Sequence, residues 1–324
     1  MTGVGTAGGG WRIVLTARPR TPYDVEAVER ARRALVADHG WDDDVLHVGV
    51  GDDGTLVLDA DHARADGLGL LELLARLTRT SVTSSARGVG DRPDRHGPVA
   101  TTARRLVEVA LRPPAPVAGA RTRPGVPGVP GVPGVPGVPG IDVGPDTLVQ
   151  REVDGQVGTA ALAHAAVQGL RDHNAALGGR TERLALAVGL SRTGPRPDEP
   201  VADRSALLRL TDAERLDAEY LAAALRTAPT QAPPPPGGGR LAVALARRLA
   251  PRLGSTVLVS HLGRVSAPAY DRIAFAPVTL GGSGLSLGAV TLDERTVLTA
   301  RARGTSWDDD GLERVLEAVV RRLP

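Results

Sequence analysis

Residues 124–140 read PGVPGVPGVPGVPGVPG, and this run divides the chain. Glycine at every third place has the collagen period, but the run is too short to support a triple helix. Two readings stay open: an elastic or self-associating element, or an extended, turn-rich linker between two folded halves. The second is favoured because both flanks are strongly patterned, and a structural protein built on one short repeat would not explain those flanks. The expected organisation is a first lobe over residues 1–115, a repeat linker over 116–145 and a second lobe over 146–324.

In the first half, WRIVLTA (11–17) has the character of a strand. PYDVEAVERARRALVADHG follows as a helix, with Val25, Val28, Ala31, Leu35 and Val36 on one face and Gly40 past its end. DVLHVGVGDDGTLVLDA reads as two strands joined at an Asp-Asp-Gly turn. A polar loop then leads into GLGLLELLARL, where Leu70, Leu73, Leu74 and Leu77 recur at helical spacing. Residues 79–99 are loop, and TTARRLVEVALR is a short helix.

The second half begins with the strand TLVQREV and the Ala-rich helix VGTAALAHAAVQGLRDHNAAL. Strands RLALAVGL and RSALLRL, the helix LDAEYLAAALRTA, the loop PTQAPPPPGGG and the helix LAVALARRLA come next. STVLVS is apolar throughout its centre, as suits a strand buried on both faces. RIAFAPVTL, GLSLGAVTL and RTVLTARA are further strands, with GGSGLSLG placed in a hairpin. The last helix, SWDDDGLERVLEAVVRRL, carries Leu312, Val315, Leu316, Val319 and Leu323. Strands and helices alternate in both halves, which predicts two α/β sandwich lobes.

Composition removes several functions. Hydrophobic residues make up 42% but aromatic residues only 2%, so the core must be close-packed Ala, Val and Leu. With no cysteine there is no disulfide, thiolate metal site or cysteine nucleophile. All 39 basic residues are arginine, interspersed with acids to a net charge of +2, and no basic stripe marks a nucleic-acid surface. MTGVGTAGGG lacks the features of a signal peptide, and no apolar run reaches membrane-spanning length. A soluble, cytoplasmic protein is expected.

The loop of TLVLDADHARADGLGLLELLARL (55–77) holds His62, four residues before Asp66-Gly67. A strand-to-helix loop can aim one imidazole into a cleft, and neutral histidine accepts a proton near neutral pH. Gly67 would permit a tight turn, and Asp66 could fix the loop through an arginine. Those three residues alone favour a plainer reading: a surface histidine beside the N-cap aspartate of a helix. A metal site built on Asp59, Asp61, His62 and Asp66 is disfavoured, because Asp61 and His62 point oppositely on a continuing strand and no second histidine has ligand spacing. A G-x-S-x-G elbow and a phosphate loop are both missing.

Taken together and in order, several segments carry a resemblance. DHARADG with its leucine helix resembles the HHxxxDG motif of the chloramphenicol-acetyltransferase-like superfamily. That superfamily includes peptide-synthetase condensation domains, polyketide-associated acyltransferases and wax-ester-synthase-like enzymes. LALAVGLSRTG, VADRSALLRL and VLVSHLGRVSAP resemble successive stretches of its second lobe. The resemblance covers residue 55 to the end, apart from the linker.

The resemblance implies a two-lobed sandwich with mixed sheets, its N-terminal lobe truncated because the motif stands unusually near residue 1. It implies direct transfer of an acyl group from a CoA or phosphopantetheine thioester to a hydroxyl or amine of a small molecule. His62 would be the general base, and Asp66 and Gly67 structural, with Arg192 as the arginine partner. Asp61, Ser260, His261 and Gly263 would line the tunnel. No metal or bound cofactor is implied; acyl-CoA or an acyl carrier protein would be the donor. Asp61 replaces the motif's first histidine, Asp203 stands where asparagine is usual, and His261 stands where asparagine follows the serine. These departures support the alternative of a catalytically inactive relative that docks in a biosynthetic assembly.

Overall fold

A computed structural model describes residues 12–92, 107–108, 111–120, 146–194, 196, 199–230, 254–279, 284–304 and 306–324. The Pro-Gly-Val run, most of the second Pro-rich loop, the 241–250 helix and most of the 101–112 helix lie outside the described residues.

In chain order the elements are β1 (Arg12–Pro19), α1 (Val25–Asp38), β2 (Leu46–Val50), β3 (Leu56–Asp61), α2 (Gly67–Thr78) and β4 (Thr83–Ser84). The second half contributes β5 (Asp146–Asp154), α3 (Thr159–Ala176), β6 (Leu186–Ser191), β7 (Ser205–Leu210), α4 (Ala218–Thr227) and β8 (Val257–Ser266). It closes with β9 (Tyr270–Ala276), β10 (Leu285–Leu292), β11 (Arg295–Arg303) and α5 (Asp309–Val320). Among the described residues no helix is long and apolar enough to cross a membrane.

Two sheets result. A four-stranded sheet runs β2-β3-β1-β9, and a larger mixed sheet runs β5-β11-β10-β8-β6-β7 with β4 added on β8. The β2–β3 hairpin closes on Gly51 and Gly54, with Gly54 at φ 77°, as the Asp-Asp-Gly signal predicts. β8 is parallel to both β6 and β10, so it lies inside the sheet with both faces covered, which accounts for its unbroken apolar start.

Two cores follow. Leu162, Ala166 and Leu170 of α3 and Leu312, Val315 and Val319 of α5 pack on one face of the larger sheet. The other core joins the leucines of α2 to Leu15 and Leu58 of the small sheet, and also to Leu258, Leu262 and Val265 of β8. α2 is thus wedged between the sheets. That position explains why Leu70, Leu73 and Leu74 are fully buried in a helix of only 12 residues. Val25, expected on the packed face of α1, is instead 56% exposed, because it opens the helix ahead of the turns that carry Val28 and Val36 onto the core.

Chain halves and sheets do not coincide at two places. β9 crosses into the small sheet and pairs with β1 from Val14↔Ala276 to Pro19↔Tyr270. β4 crosses the other way and pairs with β8. The expected GLSLG hairpin is therefore replaced: β9 and β10 belong to different sheets. They meet face to face, where Gly288 of β10 lies against the Phe275 carbonyl oxygen and Thr299 Oγ1 donates a hydrogen bond to the same oxygen. A side chain at 288 would separate the sheets at that point.

Candidate functional site

The loop that carries His62 is organised by its own polar groups. The Asp61 carboxylate accepts the Ala63 N–H at 2.9 Å, and its carbonyl accepts the Arg64 and Ala65 N–H groups, so the chain makes one tight turn on leaving β3. Within that turn His62 Nδ1 lies 3.0 Å from the Ala65 carbonyl oxygen. A carbonyl oxygen only accepts, so Nδ1 carries the hydrogen in this contact. Asp66 then starts α2 as its N-cap, Oδ1 accepting the Gly69 N–H at 2.8 Å.

The start of α2 touches the second half of the chain directly. A Cβ on Gly67 would fall 2.5 Å from Leu262 Cδ2 and 3.0 Å from Phe275 Cζ. Gly67 is the first residue of the helix and does not have positive φ, so close packing on β8 and β9 requires the glycine and not the tight turn expected for it.

The expected arginine clasp on Asp66 is replaced by a serine. Ser191, the last residue of β6, places Oγ 3.1 Å from Asp66 Oδ2 and 2.6 Å from the Thr193 carbonyl oxygen. Among the described residues no ion pair joins Arg192 to Asp66; its guanidinium is 3.9 Å from Asp91 and half exposed. The cause is strand alternation: Ser191 faces α2, so its neighbour Arg192 faces away. Burial pushes the Asp66 carboxyl up from its ordinary 3.8, with the Asp203 carboxylate adding to the rise and the Gly69 N–H, Ser191 and His62 opposing it.

β8 changes partners beside this contact. β6 pairs with it over Val257–Ser260, and β4 takes over at Val265–Ser266 on the same side. Gly263 lies between at φ 78°, and a Cβ there would be 3.0 Å from the Ala86 N and Ser85 Oγ. Its backbone conformation and the lack of space both demand glycine. The segment after β4 then pairs onward with β6, Val89 N–H to the Ser191 carbonyl oxygen and Gly90 N–H to that of Arg192, both at 2.9 Å.

Ser260 and His261 do not share one wall. Ser260 is on the face of β8 that carries Leu258 toward α2, whereas His261 shares the face of Val257 and Val259 toward α3. His261 Nδ1 is 3.0 Å from Thr159 Oγ1 in the first turn of α3, and its buried Nε2 has no hydrogen-bond partner among the described residues. Burial pushes this imidazole down to about 4, so it is neutral at physiological pH. Asp203 is exposed and accepts the Ser205 N–H, shaping the turn into β7. Asp59 is held 2.7 Å from Arg12 on the opposite face of β3 from the α2 core. A cavity of about 190 Å³ lined by Glu108, Arg112, Arg183 and Asp212 lies at the far end of β6 and contains none of these residues.

A second contact on α2 is absent from any sequence motif. Glu72, 7% exposed, accepts the Arg196 N–H at 2.9 Å and lies 3.5 Å from Arg204, so the loop between β6 and β7 is anchored on α2. Burial pushes the Glu72 carboxyl up, against the pull of the Arg196 N–H, Arg204 and Arg76. Alternation could have assigned Ser191 to the face of Ala187; Glu72 carried one signal, a charge inside a leucine stripe.

No protein-family model matches the sequence, and no curated protein matches it. Solved structures do. The cyclization-docking bidomain of the EpoB peptide synthetase from Sorangium cellulosum aligns over 99% of this chain and 81% of its own, with TM-score 0.52 and 15% identity. The starter condensation domain of rhizomide synthetase RzmA, a point mutant in complex with C8-CoA, aligns over 98% and 90%, with TM-score 0.51 and 13% identity. The first condensation domain of the calcium-dependent antibiotic synthetase, in complex with a substrate analogue, aligns over 98% and 91%, with TM-score 0.50 and 12% identity. At these identities the likeness is one of fold. Its mixed α/β architecture is that of these condensation and cyclization domains.

Proposed function

From the condensation-domain fold as premise, we propose that this chain is a cytoplasmic acyltransferase that moves an acyl group from a CoA or carrier-protein thioester to a hydroxyl or amine of a small molecule. The observation that carries the reading is the position of His62 in the turn between β3 and α2, its Nδ1 3.0 Å from the Ala65 carbonyl oxygen, which orients the ring and assigns proton acceptance to Nε2. In the reaction His62 Nε2 takes the proton of the attacking hydroxyl or amine as its heteroatom bonds to the thioester carbonyl carbon. The tetrahedral adduct then expels the thiolate, which recovers that proton from the imidazolium. Atoms balance without a covalent acyl-enzyme, a metal or a cysteine. A neighbour of the same fold described in complex with C8-CoA supports a thioester of this kind as donor.

The test is transfer or hydrolysis with a panel of acyl-CoAs, wild type against His62→Ala. A general base contributes about 10²- to 10⁴-fold, so the variant is expected to lose at least two orders of magnitude in kcat. Asp61, whose carboxylate is committed to the Ala63 N–H in place of the motif's first histidine, favours a second reading: an inactive docking partner in a biosynthetic assembly. No turnover by either protein, with both folded, decides for that reading.

A further inference from the structure

The hydrogens available at Ser191 do not cover its contacts. Its hydroxyl has one hydrogen, and the Thr193 carbonyl, an acceptor only, takes it at 2.6 Å. The other contact of the same Oγ, 3.1 Å to Asp66 Oδ2, then brings two oxygens together with no hydrogen between them unless the carboxyl supplies it. Oδ1 accepts the Gly69 N–H at 2.8 Å, the role of the better-accepting carbonyl oxygen of an acid, so the proton belongs on Oδ2. The surroundings agree. Asp66 is 4% exposed, Arg192 lies against Asp91, and Arg204 pairs with Glu72 and Glu199. Of the titratable groups that face Asp66, Asp203 opposes its ionisation and His62 favours it only when the imidazole is protonated, while Glu72, further along α2, is a second buried acid.

We propose that Asp66 keeps its proton at neutral pH and donates it from Oδ2 to Ser191 Oγ, so that a neutral relay Asp66–Ser191–Thr193 clasps the His62 loop to the second sheet. Ser191 is then a positioning residue: it holds the N-cap of α2, and through the preceding turn the imidazole, against β6. A buried acid that would be costly to ionise becomes a hydrogen-bond donor across the seam. The consequence for catalysis rests on His62 being the base; the protonation state does not.

The experiment is the infrared difference spectrum of the full chain at pH 7, wild type minus Asp66→Asn, read at the carbonyl stretch of a protonated carboxylic acid. The expected result is a positive acid band in that difference. A difference showing ionised carboxylate bands overturns the proposal. The asparagine amide can donate to Ser191 Oγ and accept from Gly69 as the neutral acid does, so the melting temperature of this variant is expected within about 2 °C of wild type; a drop as large as that of Asp66→Ala also overturns it. Should Asp66→Asn fail to fold, Ser191→Ala keeps the acid and removes its acceptor. Its acid band must move to higher frequency, and an unmoved or missing band overturns the clasp. None of these readouts depends on turnover, so a failure of the acyltransferase reading leaves this test intact.

Discussion

Gly67→Ala probes the seam on which the site depends. The added methyl would stand 2.5 Å from Leu262 Cδ2 and 3.0 Å from Phe275 Cζ, where ordinary contact begins near 3.4 Å. Leu262 must therefore retreat by about 0.9 Å, and it is 3% exposed, with Phe275 at 2%. Overpacking of this kind costs about 1–3 kcal/mol. Replacing glycine in a helix returns less than about 1 kcal/mol at a first-turn position. The net expectation is a loss of about 1–2 kcal/mol, a fall of roughly 0.5 M in the urea midpoint with the slope unchanged. Gly49→Ala on β2 is the control, because nothing lies within 4 Å of its Cβ, and it is expected at or above wild-type stability. If Gly67→Ala melts with or above the wild type, α2 does not pack on β8 and β9 as described, and the placement of His62 at the seam falls with it.

Three further outcomes are expected. Burial depresses the His261 imidazole to about 4 from an ordinary 6.5, so the folded chain binds fewer protons than the unfolded one in that window. Stability is then full above pH 6.5 and falls by roughly 3 kcal/mol as the pH drops to 4; His261→Asn should flatten that part of a chemical-denaturation profile, and an unchanged profile would refute the assignment. Arg204→Ala leaves the buried Glu72 charge with the Arg196 N–H but without the guanidinium 3.5 Å away, and should cost about 3 kcal/mol in urea unfolding, whereas Glu72→Gln, which removes the charge, should cost clearly less. Above the ordinary carboxylate range, wild-type stability should decline with rising pH relative to Asp66→Asn, because the raised Asp66 carboxyl makes the folded state bind more protons; a parallel pair of curves would contradict this.

Local signals in the chain carried most of the site loop. β3, the loop, the N-cap aspartate and a helix from Gly67 are all present in TLVLDADHARADGLGLLELLARL, because a period-2 run, an Asp and a leucine stripe act within a few residues of each other. What the sequence left hidden lies across the seam. Arg192 is the obvious partner for an acid, yet the alternation of β6 turns Ser191 inward and Arg192 outward. Gly67 looks like a turn residue until Leu262 and Phe275, far along the chain, are brought onto it. Likewise RIAFAPVTL and GLSLGAVTL read as neighbours in one sheet, because pairing within a few residues is the cheapest inference, and only the finished topology sends β9 to β1.

That exchange of β9 also sets an order of events during synthesis. β1 can pair on one side with β3 once residue 61 has left the ribosome, but its other edge waits for Tyr270–Ala276. At about 5–20 residues per second, the 192 residues between β4 and the end of β9 leave the ribosome over roughly 10–40 s. Through that interval the nascent chain carries an open strand edge and a leucine helix with half of its bed, the kind of surface on which strands from other chains add and which chaperones cover. The yield of folded protein should therefore depend on how fast, and in what company, the second half is translated.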